Sequence, residues 1–259
     1  MKDPIPARNL HSLVLAQVLL LSPFGSYAQT GNAGGRGGTT PPANAKAAAP
    51  ADLTGQWVSI VTEDWRYRMI TPAKGDYASV PINVAGRKLA DSWDPAKDEA
   101  AGEACKAYGA AGVMRIPGRI RISWLDDDTL KVETDAGEQT RLFYFKEPKS
   151  AGGDWQGVSQ ASWEALGGGR GGPTPTGSLK VVTTKMEPGY LRKNGVPYSD
   201  KTVLTEYYDR TKEANGDSWL VVTTIVDDPT YLNQPFITST HFRKENDQAR
   251  WNPTPCSAK

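Results

Sequence analysis

Histidine, cysteine and long apolar runs are all scarce in this chain. Its two histidines are His11 and His241, and its two cysteines are Cys105 and Cys256. With so few imidazoles a histidine-rich metal site is excluded, and carboxylates alone suit calcium better than zinc, so neither a metal nor a cofactor is expected. A formal net charge of +1 removes the broad positive field that carries non-specific nucleic-acid binding. No polybasic run is present to hold an anionic membrane. Nucleic-acid partners and membrane insertion are therefore not expected. The sequence also lacks the Gly-x-Ser-x-Gly of a serine nucleophile, and its Gly-rich stretch GGGRGGPTPTG at 167–177 has no GK[ST] ending to make it a phosphate loop. That stretch reads as a surface loop.

The one apolar run, Leu13 to Leu21, follows Lys2 and Arg8 and precedes Ser26-Tyr27-Ala28. It is too short to span a membrane, and this order is that of a secretory signal peptide over 1–28, cut after Ala28. Its removal takes Lys2, Arg8 and Asp3 and leaves acidic and basic side chains equal in number. The expected destination is the periplasm or the exterior. Residues 29–51 are almost wholly Gly, Ala, Pro, Thr and Asn, too poor in apolar bulk to offset the entropy of ordering, and read as a disordered linker. Residues 52–259 are long enough for a single domain with one core. An even cysteine count in an oxidising compartment predicts a Cys105–Cys256 disulfide.

Within that domain, short alternating runs recur between turn signals such as Asp126-Asp127-Asp128, Asp135-Ala136-Gly137 and Asn215-Gly216-Asp217. This is the pattern of an antiparallel all-β fold. Candidate strands are 54–62, 64–70, 118–125, 129–135, 139–146, 155–164, 178–186, 201–210, 217–227 and 236–245, with one of them expected to merge or fail. The Ala-, Glu-, Lys- and Leu-rich stretch 83–106 predicts one or two short helices inserted after the first strands. The triplet Asp126–Asp128 lacks the spacing of a calcium loop and reads as a solvated turn.

The stretch Leu53-Thr-Gly-Gln-Trp57, with its Gly55-x-Trp57, resembles the start of the first strand in calycin or lipocalin-like β-barrels. Arg243 in THFRK matches the basic residue of that family's last strand, and Thr205-Glu206-Tyr207 resembles its Thr-Asp-Tyr element. The helical insertion and the tail prolines Pro253 and Pro255 depart from the pattern. The resemblance implies a lipocalin-like barrel of about eight to nine strands enclosing one small apolar ligand. It also implies that Trp57 sits at the closed end against Arg243 or Lys244. Period-two alternation from Arg243 then carries His241, Ser239 and Ile237 inward, as it carries Ser59 and Glu63 inward from Trp57. If the strand continues through EDWRYRM, residues 63–69, then Trp65, Tyr67 and Met69 line the upper cavity while Asp64, Arg66 and Arg68 face water. The plain alternative is a half-buried strand over a core.

The ligand-binding residues so read are Trp57, Ser59, Trp65, Tyr67, Ser239 and His241. Arg66, Arg68, Arg119 and Arg121, with Arg115, form either the outer face of a sheet or a basic rim for an anionic end of the ligand. The expected function is exported binding of a small, largely apolar molecule. A second reading places an isomerase or hydro-lyase on the same scaffold, with Glu63 and His241 as acid and base. A third is a β-sandwich that docks on a protein partner through the Tyr-rich strand LTEYYD.

Overall fold

A computed structural model describes residues 42–166 and 176–259. Residues 1–28, read above as a signal peptide, residues 29–41 of the expected linker and residues 167–175 of the Gly-rich stretch lie outside the described residues.

Nine strands close a barrel: β1 (Gly55–Ile60), β2 (Arg119–Asp126), β3 (Thr129–Thr134), β4 (Thr140–Tyr144), β5 (Val158–Leu166), β6 (Thr176–Thr184), β9 (Val203–Lys212), β10 (Ser218–Asp227) and β11 (Phe236–Glu245). Their order around the wall is β1-β11-β10-β9-β6-β5-β4-β3-β2. Each corresponds to a run predicted from alternation. The neighbours are antiparallel except β4 and β5, which run parallel through only Phe143↔Ser159 and Tyr144↔Gln160. The side chain of Gln160 bridges this short seam by donating to the Tyr144 carbonyl at 2.8 Å. The wall closes on itself instead of forming two facing sheets, which excludes the sandwich.

The inward-facing side chains fill the lumen. Trp57, Ile120, Ile122, Leu130, Val132, Phe143, Leu179, Val181, Tyr208, Leu220, Val222 and Phe242 form one buried cluster, the dominant source of stability by apolar burial. Trp57 is fully buried and donates through Nε1 to the Leu53 carbonyl at 3.0 Å. The Lys244 ammonium lies 5.4 Å from its ring centroid. Gly55 is required here: its φ is +119°, and a Cβ would stand 3.0 Å from Lys244 Cε. A polar layer crosses the same lumen. Arg141 on β4 and Glu206 on β9 pair at 2.5 Å with both side chains shielded from solvent, and Tyr208 donates to Glu206 at 3.1 Å.

One end of the barrel carries a cap built from the segment between β1 and β2, together with a hairpin of β7 (Gly189–Arg192) and β8 (Val196–Tyr198). Helices α2 (Val84–Asp91) and α3 (Pro95–Ala100) supply the predicted helical insertion. Asn83 caps the first by accepting from Gly86 N, and Asp94 caps the second by accepting from Ala96 N with Pro95 opening the helix. The four residues of α4 (Ala110–Val113) are all buried, and Val113 and Met114 join the barrel cluster, so this turn plugs the barrel mouth. A second buried cluster of Tyr77, Val80, Ile82, Leu191, Val196, Tyr198, Leu204, Leu232 and Phe236, among others, binds the cap to the strand ends.

Three sequence expectations are corrected. Residues 64–70 are not a strand: Asp64 takes a left-handed φ of 50° and starts a single helical turn, α1 (Trp65–Arg68). A helix breaks period-two sorting: Trp65 is 64% exposed and Arg68 is buried, while Arg66 stays exposed. In β11 the inward residues are Phe236, Thr240 and Phe242, while Ile237 is 61% exposed and Arg243 faces water. Lys244, not Arg243, pairs with Trp57; this one-residue slip turns Ser239 and His241 outward. Finally, residues 42–51 of the linker are tied down. Ala45 N donates to Asp128 Oδ1 at 2.9 Å, Lys46 N to the Asp127 carbonyl at 3.0 Å, and Trp163 Nε1 to the Ala45 carbonyl at 2.8 Å. The Asp127–Asp128 turn thus anchors the incoming chain.

The cysteines pair as predicted. Cys105 and Cys256 form a disulfide with a Cα–Cα distance of 5.1 Å, joining the cap to the C-terminal tail. Among the described residues, no helix is long and apolar enough to cross a membrane.

Candidate functional site

Of the residues expected to meet a ligand inside the lumen, Trp57 and Ser59 face it but serve the wall: Ser59 Oγ accepts from Gly118 N at 3.0 Å. Ser239 lies on the outer side, 3.3 Å from the Thr223 hydroxyl. Glu63 and His241 do approach one another, with His241 Nδ1 3.4 Å from Glu63 Oε2. They meet outside the barrel, beside Ile60, the residue paired with His241 across the β1–β11 ladder. Glu63 is also engaged by Thr62 Oγ1 at 2.9 Å and by the Arg68 guanidinium. The couple imagined inside a water-poor lumen is therefore an outer-surface cluster.

The basic rim divides. Arg119 pairs with Glu245 at 2.8 Å, and Arg121 donates to Gln56 Oε1 at 3.0 Å and stacks 4.2 Å from the Trp251 ring. Both belong to the outer face of β2 under the C-terminal tail. Arg66 is exposed and pairs with Asp76 at 2.9 Å. Of the four, Arg68 lines the cavity in the cap.

That cavity, of about 280 Å³, opens in the cap. Three arginines line it, one each from α1, from the turn after α4, and from β7: Arg68, Arg115 and Arg192. They are only 7%, 7% and 5% exposed. Each guanidinium is anchored through part of its donor set. Arg68 Nε donates to the Arg115 carbonyl at 2.9 Å and Nη1 engages Glu63; Arg115 Nη2 donates to Asp64 at 2.7 Å; Arg192 Nη1 donates to the Ala78 carbonyl at 2.8 Å. The Arg192 guanidinium also stacks 4.4 Å from the Tyr67 ring, a cation–π contact suited to a weakly hydrated guanidinium.

Each arginine keeps donors with no partner. Arg68 Nη2, Arg115 Nη1, and Arg192 Nε and Nη2 are buried without a hydrogen-bond partner. Buried charged donors are ordinarily satisfied, because leaving one unmade costs more than a neutral bond returns. The electrostatics agree. Burial pulls the pKa of both Arg68 and Arg192 below the usual guanidinium value, and the neighbouring Arg115 charge pulls in the same direction, against the opposing acidic groups. Like charges are thus gathered in a partly desolvated place that an anion would relieve. Met69, Ile70, Ile116, Pro117 and Leu191 supply apolar wall, and Lys193 adds a fourth cation.

Sequence reasoning brought Arg68, Arg115 and Tyr67 into view but missed Arg192. Its signal was Asn194-Gly195 between Gly189-Tyr-Leu-Arg192 and Val196-Pro-Tyr198, a hairpin turn with Gly195 at φ +80°.

Comparison with protein-family models, with curated proteins and with solved structures finds no match to the chain. The closed barrel stands on its own geometry.

Proposed function

We propose that this is an exported binding protein for a small, largely apolar molecule with one anionic end, the anion held by Arg68, Arg115 and Arg192. The observation that carries this reading is the set of four unpartnered guanidinium nitrogens on three buried arginines around one cavity. Their anchors orient the forks before a ligand arrives, which lowers the entropic cost of binding. The tail of the ligand lies over Met69 and Ile70, which are 59% and 66% exposed and otherwise leave apolar surface in water. The reading keeps the small-molecule binding that a lipocalin-like barrel implies, but moves the ligand from the lumen, which side chains occupy, to the cap. Export to the periplasm or beyond is supported by the disulfide, which persists in oxidising compartments.

Calorimetric titration with hexanoate, hexyl sulfate and hexyl phosphate, against hexanol as the neutral control, tests it. At least one anion should bind at least about tenfold more tightly than hexanol, and Arg192→Gln should weaken that anion by about tenfold or more, the worth of a charge-assisted hydrogen bond. Ile70→Ser, at an exposed position, should weaken every hexyl anion about threefold while leaving the circular dichroism unchanged. Equal affinity for hexanol and all three anions, or no binding of any, removes the proposal.

A further inference from the structure

Resting on that reading, we infer that the anion is a phosphomonoester in its dianionic form. Charge and direction both favour it over a carboxylate. Four cations line the cavity, Arg68, Arg115, Arg192 and Lys193, whereas two carboxylates touch them, Glu63 on Arg68 and Asp64 on Arg115. Among the described residues Arg192 and Lys193 touch no carboxylate, and a dianion offsets more of this excess positive charge than a monoanion does.

The arginines reach the cavity from three separate pieces of chain, the end of α1, the turn before β2 and the end of β7. A planar carboxylate presents two oxygens in one plane and is matched by a single bidentate guanidinium. A phosphoryl group presents three terminal oxygens in three directions, which suits three guanidinium groups set in the wall by separate pieces of chain. Lys193 fits this division of labour. It is half-buried, follows Arg192 directly and lines the same cavity, with its ammonium 5.7 Å from the Tyr108 ring centroid, and it adds a compact point charge to the arginine forks. The apolar wall of Met69, Ile70, Ile116 and Leu191 then assigns the group to an ester carrying a hydrocarbon substituent rather than to free phosphate.

Titrating the full protein with hexyl phosphate, hexyl sulfate, hexanoate and inorganic phosphate separates these terms. Hexyl sulfate is tetrahedral with one charge, hexanoate planar with one, and hexyl phosphate tetrahedral with two above its second pKa. At pH 8 hexyl phosphate should bind at least about tenfold more tightly than either monoanion, and this advantage should fade as pH falls through about 6, where the phosphoryl group gains a proton. Lys193→Gln, at a half-buried position outside the arginine anchors, should weaken hexyl phosphate more than either monoanion and so lower the phosphate-to-sulfate preference several-fold. Inorganic phosphate should bind more weakly than its hexyl ester.

Hexanoate or hexyl sulfate binding as tightly as hexyl phosphate at pH 8 overturns the dianion assignment and leaves the anion-binding site standing. Inorganic phosphate equalling the ester overturns the ester assignment. Failure of all the hexyl anions removes the site itself and this inference with it.

Discussion

Removing the Cys105–Cys256 bridge, by the double substitution Cys105→Ser and Cys256→Ser, should lower the melting temperature by about 10 °C or more. The bridge spans a sequence separation of 151 residues, and closing a loop of that length removes about 5 kcal/mol of chain entropy from the unfolded ensemble in the simplest treatment. At the usual 2–4 °C per kcal/mol for a domain of this size, roughly 10–20 °C follows. Local contacts hold the tail as well: Gly137 N donates to the Thr254 carbonyl at 2.8 Å, Thr254 N to the Asp135 carbonyl at 2.9 Å, and Ala258 N to Glu99 at 3.0 Å. These keep the native tail in place when the bridge is gone, so the loss falls on the unfolded-state term and the folded structure survives. Calorimetry of the variant beside the oxidised parent checks this. A shift smaller than about 3 °C means that the denatured chain is already compact enough for the bridge to constrain little.

How far the sequence was legible follows from what each residue's neighbours reveal. All nine barrel strands were readable because one buried and one outer face impose period-two alternation on every one of them. The helical insertion over 83–106 was likewise legible, from its Ala-, Glu-, Lys- and Leu-rich composition. The hairpin β7–β8 was hidden because Val196-Pro197-Tyr198 is three residues long and Pro197 argues against a strand, although its Asn-Gly turn was a usable signal. In β11 two adjacent basic residues offered two registers. The resemblance to a lipocalin-like strand favoured Arg243, whereas Phe236 and Phe242 share the parity of Lys244, and burying two phenylalanines outweighs facing one histidine inward. EDWRYRM alternates in sequence, yet four residues are too few to tell a strand from one turn of helix. What decides is tertiary: Glu63 and Asp64 bind Arg68 and Arg115 only when the chain turns at Asp64. The arginine cavity was therefore legible as a basic tendency among Arg68 and Arg115, and not as a place, because Arg192 comes from a hairpin more than 70 positions along the chain.

The second large effect is expected inside the barrel, where Glu206→Gln should destabilise the protein by about 3–5 kcal/mol, while the double replacement Arg141→Met with Glu206→Leu should recover most of that loss. The lumen is apolar on either side of this pair, with Val132 opposite Arg141 on β3 and Val181 opposite Glu206 on β6. Both charges are fully buried. Burial disfavours the Arg141 charge, but Glu206 beside it overrides that cost and raises its pKa, and Thr183 accepts a further Arg141 hydrogen bond at 3.2 Å. Burial and then the Glu206 carboxylate raise the Tyr208 phenol, which stays neutral and donates. Glutamine at 206 keeps the volume but leaves the guanidinium without a counter-charge, the costly half of the asymmetry between breaking a buried pair and replacing it. The position of the pair gives it a second consequence. Arg141 and Glu206 sit on β4 and β9, which are separated in the wall by β5 and β6, so the bond crosses the lumen rather than following the ladder. It leaves β4 beside the two-residue parallel seam to β5, the shortest pairing in the wall. In Glu206→Gln, amide exchange should accelerate first in Thr140–Tyr144 and Val158–Gln160, and only later in β10 and β11. Urea denaturation of Arg141→Met, of Glu206→Leu and of the double variant gives the coupling energy directly. Additive effects, with the double variant as unstable as the sum of the singles, would show that the pair contributes packing volume alone, and uniform acceleration of exchange around the barrel would remove its role in holding the seam.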